Sequence, residues 1–253
     1  MKWKKCWLFM CFPLTIAIIF FLINNFKHSN DNNTSILNGK KIIVFGDNVA
    51  WGLCGDNARQ ARVTWPEAME MKTGAIVCNR AILATNLSEI IGYGILERQN
   101  RYAFCNIVDK VDVSEYDYCL ISYGTCDYGY SGDIGSINSK QMNTYMGALN
   151  YGVQEILRQN PSIKIFLIGP MYIKNEESEN AKGNVLQDYR DAMQAISEKY
   201  NIFYIDMKNA FGINEDNVDE FYWSSPCPYE DMYTEIGKYI ADELENICKK
   251  NDI

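Results

Sequence analysis

Residues 41–47 read KIIVFGD, an apolar run that stops at Gly46 and Asp47. A run this short, closed by a glycine, predicts a buried strand and then a loop. The unit recurs along the chain. Residues 75–78 predict a second strand ending at Asn79, and residues 118–123 (YCLISY) a third ending at Gly124. Residues 164–168 (KIFLI) predict a fourth ending at Gly169, and residues 203–206 a short fifth. Helices are expected between them. Thr64, Pro66 and Glu67 make a capping-box pattern with proline in the first turn, so a helix starts there. Residues 87–99 and 184–200 are further expected helices. Residues 141–159 carry Met142, Tyr145, Met146, Leu149, Val153, Ile156 and Leu157 at helical spacing, and Asn160-Pro161 stops them. Tyr233, Ile236, Ile240, Leu244 and Ile247 mark a last helix by the same spacing.

Strands that alternate with helices pair in parallel through crossover connections. Strands that are apolar throughout are covered on both faces. The expected fold is an α/β, three-layer α/β/α sandwich with a mainly parallel five-stranded sheet, flavodoxin-like, over residues 40–250. In such a sheet the site lies at the carboxyl ends of the strands. The loops to read are therefore 46–51, 79–85, 124–132, 169–174 and 221–229.

The chain has 253 residues, 47% of them hydrophobic and 22% charged, which is ordinary globular composition. Its single histidine, His28, excludes a Ser-His-Asp triad or a multi-histidine metal site inside the domain. Residues 1–28 read as a membrane anchor. Lys2, Lys4 and Lys5 precede an apolar run, 6–23, whose 18 residues would rise about 27 Å as a helix. The leading lysines imply a cytoplasmic N-terminus and an extracytoplasmic C-terminal domain. Residues 24–27 offer no small-residue cleavage site, so the anchor is expected to be retained. Residues 29–39 are a polar linker, and His28 is read as a solvated residue at its edge.

Beyond residue 28 there are 20 basic and 32 acidic residues, a net of −12, which repels nucleic acid. Seven cysteines lie there: Cys54, Cys78, Cys105, Cys119, Cys126, Cys227 and Cys248. Their number is odd, and their spacing fits no zinc knuckle. Cys78 and Cys119, in strand-like runs, are expected to be buried packing residues. No cofactor or metal is expected.

The site loops carry four short blocks in order. Residues 45–48 (FGDN) resemble the GDS block of SGNH/GDSL-type hydrolases. Asn79-Arg80-Ala81 resembles that family's second block. Residues 123–128 (YGTCDY) resemble its third block, GTND, and residues 224–244 its fifth, a D-x-x-H loop entering the final helix. The resemblance implies the SGNH-hydrolase fold and acyl transfer. In that chemistry a block-one Ser attacks and a block-five Asp–His pair serves it. The oxyanion is held by two backbone N–H groups and the block-three Asn.

Carried over, the nucleophile position falls on Asn48 and the block-three Asn on Cys126. The block-five Asp falls on Ser224 and the His on Cys227. Ala81 keeps a backbone N–H for the oxyanion. No catalytic position is intact. An amide is not a nucleophile, a thiol is a weak donor, and Cys227 lacks imidazole's proton shuttling near neutral pH. Loss of one triad member costs about 10⁴-fold in kcat. These departures imply a non-catalytic protein, expected from the aromatic residues of its loops to bind carbohydrate or acylated glycan; the alternatives are a residual or altered esterase on cell-surface polysaccharide and a structural partner in a membrane assembly.

The residues expected to line the site are Gly46, Asp47, Asn48, Trp51, Asn79, Ala81, Gly124, Thr125, Cys126, Asp127, Tyr128, Tyr172, Trp223 and Cys227. Asp47 and Asp127 are expected to order loops by accepting backbone hydrogen bonds. Cys126 and Cys227, on facing loops, leave three readings open: a disulfide, two free inert thiols, or a reactive or metal-binding pair. Trp51, Tyr123, Tyr128, Tyr130, Tyr172, Tyr222, Trp223 and Tyr229 either form an aromatic rim suited to sugar rings or pack the loops. Residues 175–183, acidic and flexible in composition, are read as a surface loop, with a lid as the alternative. The partners expected are a membrane, through the N-terminal helix, and a glycan or acyl-ester ligand.

Overall fold

Neighbouring residues of a central strand point to opposite faces of its sheet, so a strand covered on both sides must be apolar at every position. The computed structural model, which describes residues 34–55, 57–91 and 97–253, shows this directly. β1 (Lys41–Gly46) is followed by a one-turn helix, α1 (Asn48–Trp51), and a small hairpin of β2 (Leu53–Cys54) and β3 (Arg59–Gln60). α2 (Trp65–Thr73) leads into β4 (Ile76–Asn79). Two short helices, α3 (Glu97–Arg101) and α4 (Phe104–Ile107), precede β5 (Tyr118–Ser122). α5 (Thr125–Gly129) and α6 (Tyr145–Gln159) lie between β5 and β6 (Lys164–Ile168). α7 (Leu186–Tyr200) leads to β7 (Phe203–Ile205). A second hairpin pairs β8 (Tyr222–Ser224) with β9 (Cys227–Pro228), and α8 (Met232–Asn251) follows.

The five-stranded sheet has the order β4-β1-β5-β6-β7 and is parallel throughout. Ile42, Val44, Leu120, Phe166 and Ile168 face one core with Trp65, Met69, Ile236 and Ile240 of α2 and α8. Ile43, Phe45, Cys119, Ile121, Ile165 and Leu167 face the other, with Leu149 and Val153 of α6 and Met193 of α7. That is the three-layer α/β/α sandwich the alternation of elements implied. Burial of each such aliphatic or aromatic side chain contributes about 1.5–3 kcal/mol. Where α8 crosses α2, a Cβ at Gly237 would run into the carbonyl oxygen of Trp65, so only glycine permits that approach.

Four expectations need correction. Residues 87–91 are not helical, residues 92–96 lie outside the described residues, and α3 begins only at Glu97. The reason is Asp127, whose buried carboxylate takes the N–H groups of Leu87 and Ser88 at 2.8 and 3.1 Å. α6 starts at Tyr145 rather than at residue 141, because the Thr144 hydroxyl caps it by accepting the Gly147 N–H. Cys119 is fully buried, but Cys78 lies on the edge strand and is half-buried. Leu37, within the expected linker, is fully buried in the core. The hairpins β2–β3 and β8–β9 were not expected, since two- and three-residue strands carry no readable periodicity. The expected anchor, 1–28, and residues 29–33 of the linker lie outside the described residues. Among the described residues no helix is long and apolar enough to cross a membrane.

Candidate functional site

β1 and β5 are adjacent, so the loops leaving their carboxyl ends meet. Asp47 joins them. One carboxylate oxygen caps α1 through the Val49 N–H at 3.2 Å, and the other accepts the Cys126 N–H at 3.3 Å. The carboxyl group is buried, and burial pushes its pKa up to about 7 against the opposing pull of those two N–H groups. Asp127, one residue after Cys126, is also fully buried. Burial raises its pKa to about 6, opposed by the N–H groups of Leu87 and Ser88 and by the Ser88 hydroxyl, which donates at 2.9 Å. Both aspartates order loops, as expected.

The expected site residues are well placed but mutually satisfied. The Asn48 Oδ1 accepts the backbone N–H of Ala84 at 2.7 Å. The Asn79 side chain bridges two loops, donating to the Ala50 carbonyl at 3.0 Å and accepting the Ala81 N–H at 3.0 Å. Ala81 therefore does not offer a free N–H, contrary to expectation; a local turn at Asn79 engages it. The Cys126 thiol is buried between the Asp47 carboxylate and the Asn48 N–H, and burial, then the Asp47 charge, push it well above the ordinary thiol range. Gly124 enters α5 at a φ of 128°, a backbone state other residues rarely adopt. Gly46 ends β1, and Thr125 is buried in the first turn of α5.

Cys227 opens β9 and is half-buried. Cys126 and Cys227 are both free thiols, so the disulfide reading of that pair is not realised in the structure. Among the described residues no group of three His, Cys, Asp or Glu side chains is arranged to hold a metal. Ser224 is exposed at the end of β8. The neighbouring Ser225 Oγ accepts the Lys174 N–H at 3.0 Å, tying this hairpin to the loop after β6.

The aromatic residues divide. Tyr123 and Tyr222 are buried and pack the core, the second of the two readings the sequence left open. Tyr128 and Tyr172 are half-buried, with hydroxyls engaged: Tyr128 donates to the Ser178 carbonyl at 2.8 Å and Tyr172 to Glu215 at 2.9 Å. Trp51 is half-buried, and its carbonyl accepts from Gln60. Tyr130, Trp223 and Tyr229 are 41%, 48% and 41% exposed and present open ring faces.

Two features had no signal in the sequence. One is a cavity of about 20 Å³ beneath the site, lined by Asp47, Val49, Trp65, Ser122, Tyr123 and Thr125 among others. It has room for one water. The other is an open groove of about 710 Å³ beside the β8–β9 hairpin, walled by Phe221, Tyr229, Arg62 and Glu230. The Glu230 carboxylate is fixed by Arg59 at 2.6 and 3.2 Å and by the Arg62 N–H at 2.9 Å. Those contacts, Arg59 first, draw its pKa down to about 2. The loop 175–183 is tied down rather than loose. Glu176 is buried against Arg190 at 2.5 Å and Lys208 at 3.1 Å, and Asn180 donates to the Tyr128 carbonyl at 3.2 Å.

Residues 44–225 match the profile of the GDSL-like lipase/acylhydrolase family. Among curated proteins none matches the chain. Several solved structures share the fold. A protein from Lactobacillus plantarum is 15% identical, with a TM-score of 0.67 over 84% of this chain and 98% of its own. A possible lipase from Chitinophaga pinensis is 14% identical, with a TM-score of 0.61 over 82% of this chain and 98% of its own. A carbohydrate acetylesterase from Sinorhizobium meliloti is 13% identical, with a TM-score of 0.62 over 82% and 99%. At these identities the likeness is one of fold.

Proposed function

The chain belongs to the GDSL-like lipase/acylhydrolase family, and from that premise we propose that it is a membrane-anchored, extracytoplasmic member whose active site is degenerate and binds carbohydrate or acylated glycan. One observation carries the loss of catalysis. The residue at the nucleophile position, Asn48, is an amide whose oxygen is already bonded to the Ala84 N–H. The remaining chemistry points the same way: the Ala81 N–H is engaged, the Cys126 thiol stays protonated, and the single histidine is His28. The exposed rings of Trp223, Tyr229 and Tyr130 support a sugar ligand, since aromatic faces stack on sugar rings. The lysines ahead of the apolar run 6–23 support the anchor and its orientation. The alternative, a residual or altered esterase acting on cell-surface polysaccharide, draws on the fold shared with the carbohydrate acetylesterase.

The purified full-length chain, given a chromogenic acetate ester, should show no turnover above buffer. Turnover that disappears in Asn48→Ala would overturn the non-catalytic reading in favour of the esterase. A screen against neutral and acetylated oligosaccharides should give binding that weakens in Trp223→Ala and Tyr229→Ala. Membrane fractions washed at alkaline pH should retain the chain.

A further inference from the structure

Cys227 has a redox neighbour in Cys54. β2 and β9 pack side by side, with the Cα atoms of Cys54 and Cys227 within 8 Å of each other. A disulfide spans roughly 4.4–6.8 Å between Cα atoms, so a small movement of one segment is enough. β2 is fixed by the Tyr233 hydroxyl, which donates to the Leu53 carbonyl at 2.6 Å, and by the Ala61 N–H, which donates to the Gly52 carbonyl at 2.7 Å. β9 belongs to a hairpin whose Trp223 and Ser224 are exposed. The other thiols are directed elsewhere: Cys126 to Asp47 and Asn48, Cys105 to the Met142 carbonyl, Cys248 to Tyr118 and Cys78 to Tyr116.

We propose that Cys54 and Cys227 are a redox-active dithiol that closes to a disulfide on meeting a disulfide oxidant, and that this bond locks the β8–β9 hairpin onto the α1 side of the site. Cys227, half-buried, is the thiol an oxidant reaches; Cys54 is 1% exposed and acts second. The Cys227 thiolate attacks one sulfur of the oxidant, a protein or low-molecular-weight disulfide. An S–S bond forms to Cys227 and the first thiolate leaves. The Cys54 thiolate then attacks the Cys227 sulfur and expels the second thiolate. Two protein thiols are oxidised, one disulfide is reduced to two thiols, and the two protons lost by the cysteines are returned to the leaving thiolates. Burial raises both thiols; Cys54 raises Cys227 further, and at Cys54 the pull of Arg59 is opposed by Glu230. β9 also packs against α1, so the bond joins the segments that carry Asn48 and Cys227. The inference stands whether or not the site binds glycan.

The full-length chain is treated with oxidised glutathione, alkylated without reductant and digested. The expected result is a peptide linking Cys54 to Cys227 that dithiothreitol splits. Complete alkylation of both cysteines, or a link from Cys227 to Cys126, would overturn the proposal. Cys227→Ser changes a half-buried residue and leaves the core intact. In it the linked peptide should vanish and Cys54 should be alkylated once the chain is unfolded. A Cys54 still oxidised there would refute the pairing.

Discussion

The side-chain oxygen of Asn48 accepts the backbone N–H of Ala84 at 2.7 Å, closing the first site loop onto the second. Ala84 adopts a φ of 55°, an unusual state for alanine, and the hydrogen bond helps hold it there. Asn48→Ala should lower stability by about 1 kcal/mol, the usual worth of one such bond, measured by urea denaturation. Asn48→Ser restores the residue type that attacks in the family, yet ester turnover should stay at the buffer rate because no histidine lies among the described residues to serve it. Turnover above that rate would show that another group activates the serine.

Gly237 makes a second prediction. The approach of α8 to α2 leaves no room for a methyl group against the Trp65 carbonyl and Ala68. Gly237→Ala should cost about 1–3 kcal/mol through overpacking, despite alanine's better helix propensity, and should appear as a lower melting temperature. An unchanged melting temperature would mean that α8 slides without cost.

The two buried aspartates give stability an uncommon pH dependence. Their folded-state pKa values, about 7 for Asp47 and about 6 for Asp127, lie above the unfolded carboxylate value. The folded state therefore holds more protons than the unfolded chain between roughly pH 4 and 7. Their contribution is fully present below pH 4 and is lost as pH rises through 6 and 7. The loss should be on the order of 3 kcal/mol between pH 5 and 8, read from urea titrations at each pH. Glu155 and Glu230, depressed to about 2 and half-buried, act in the opposite sense and in a lower window. A stability that rises from pH 5 to 8 would contradict this.

Arg190 is buried and donates to the Pro170 and Met171 carbonyls at 2.8 Å, besides pairing with Glu176. Arg190→Met would leave Glu176 with Lys208 as its only ion-pair partner among the described residues. The cost should be about 3 kcal/mol, the lower end for a broken buried pair. Cleavage within 175–183 by an added protease should accelerate in the same variant.

The sheet was legible because each strand is a short apolar run closed by a turn residue. Residues 164–168 form β6 with the expected bounds. Long-range capture was not legible. The apolar spacing of residues 87–99 looks helical, but the Asp127 carboxylate, 40 residues away, takes the first N–H groups instead. Asp47 and Asp127 were read correctly because an aspartate at a strand or helix end is a local signal. The Asn48–Ala84 bond depends on a left-handed alanine, for which no residue pattern exists. The partner of Cys227 was also hidden, since pairing among seven cysteines cannot be read from their order. Whether Tyr123 and Tyr222 join the rim or pack was open in the sequence, because aromatic residues beside a loop serve the core as readily as the surface; both pack.

The acidic loop 175–183 is held by Glu176 on Arg190, by the Tyr128 hydroxyl on Ser178 and by Asn180 on the Tyr189 hydroxyl at 3.1 Å. A segment fastened at three points does not act as a gate. A ligand approaching from that side is then expected to meet a loop that stays in place. Association should then be a single step, with an observed rate that rises in proportion to ligand concentration and reaches no plateau.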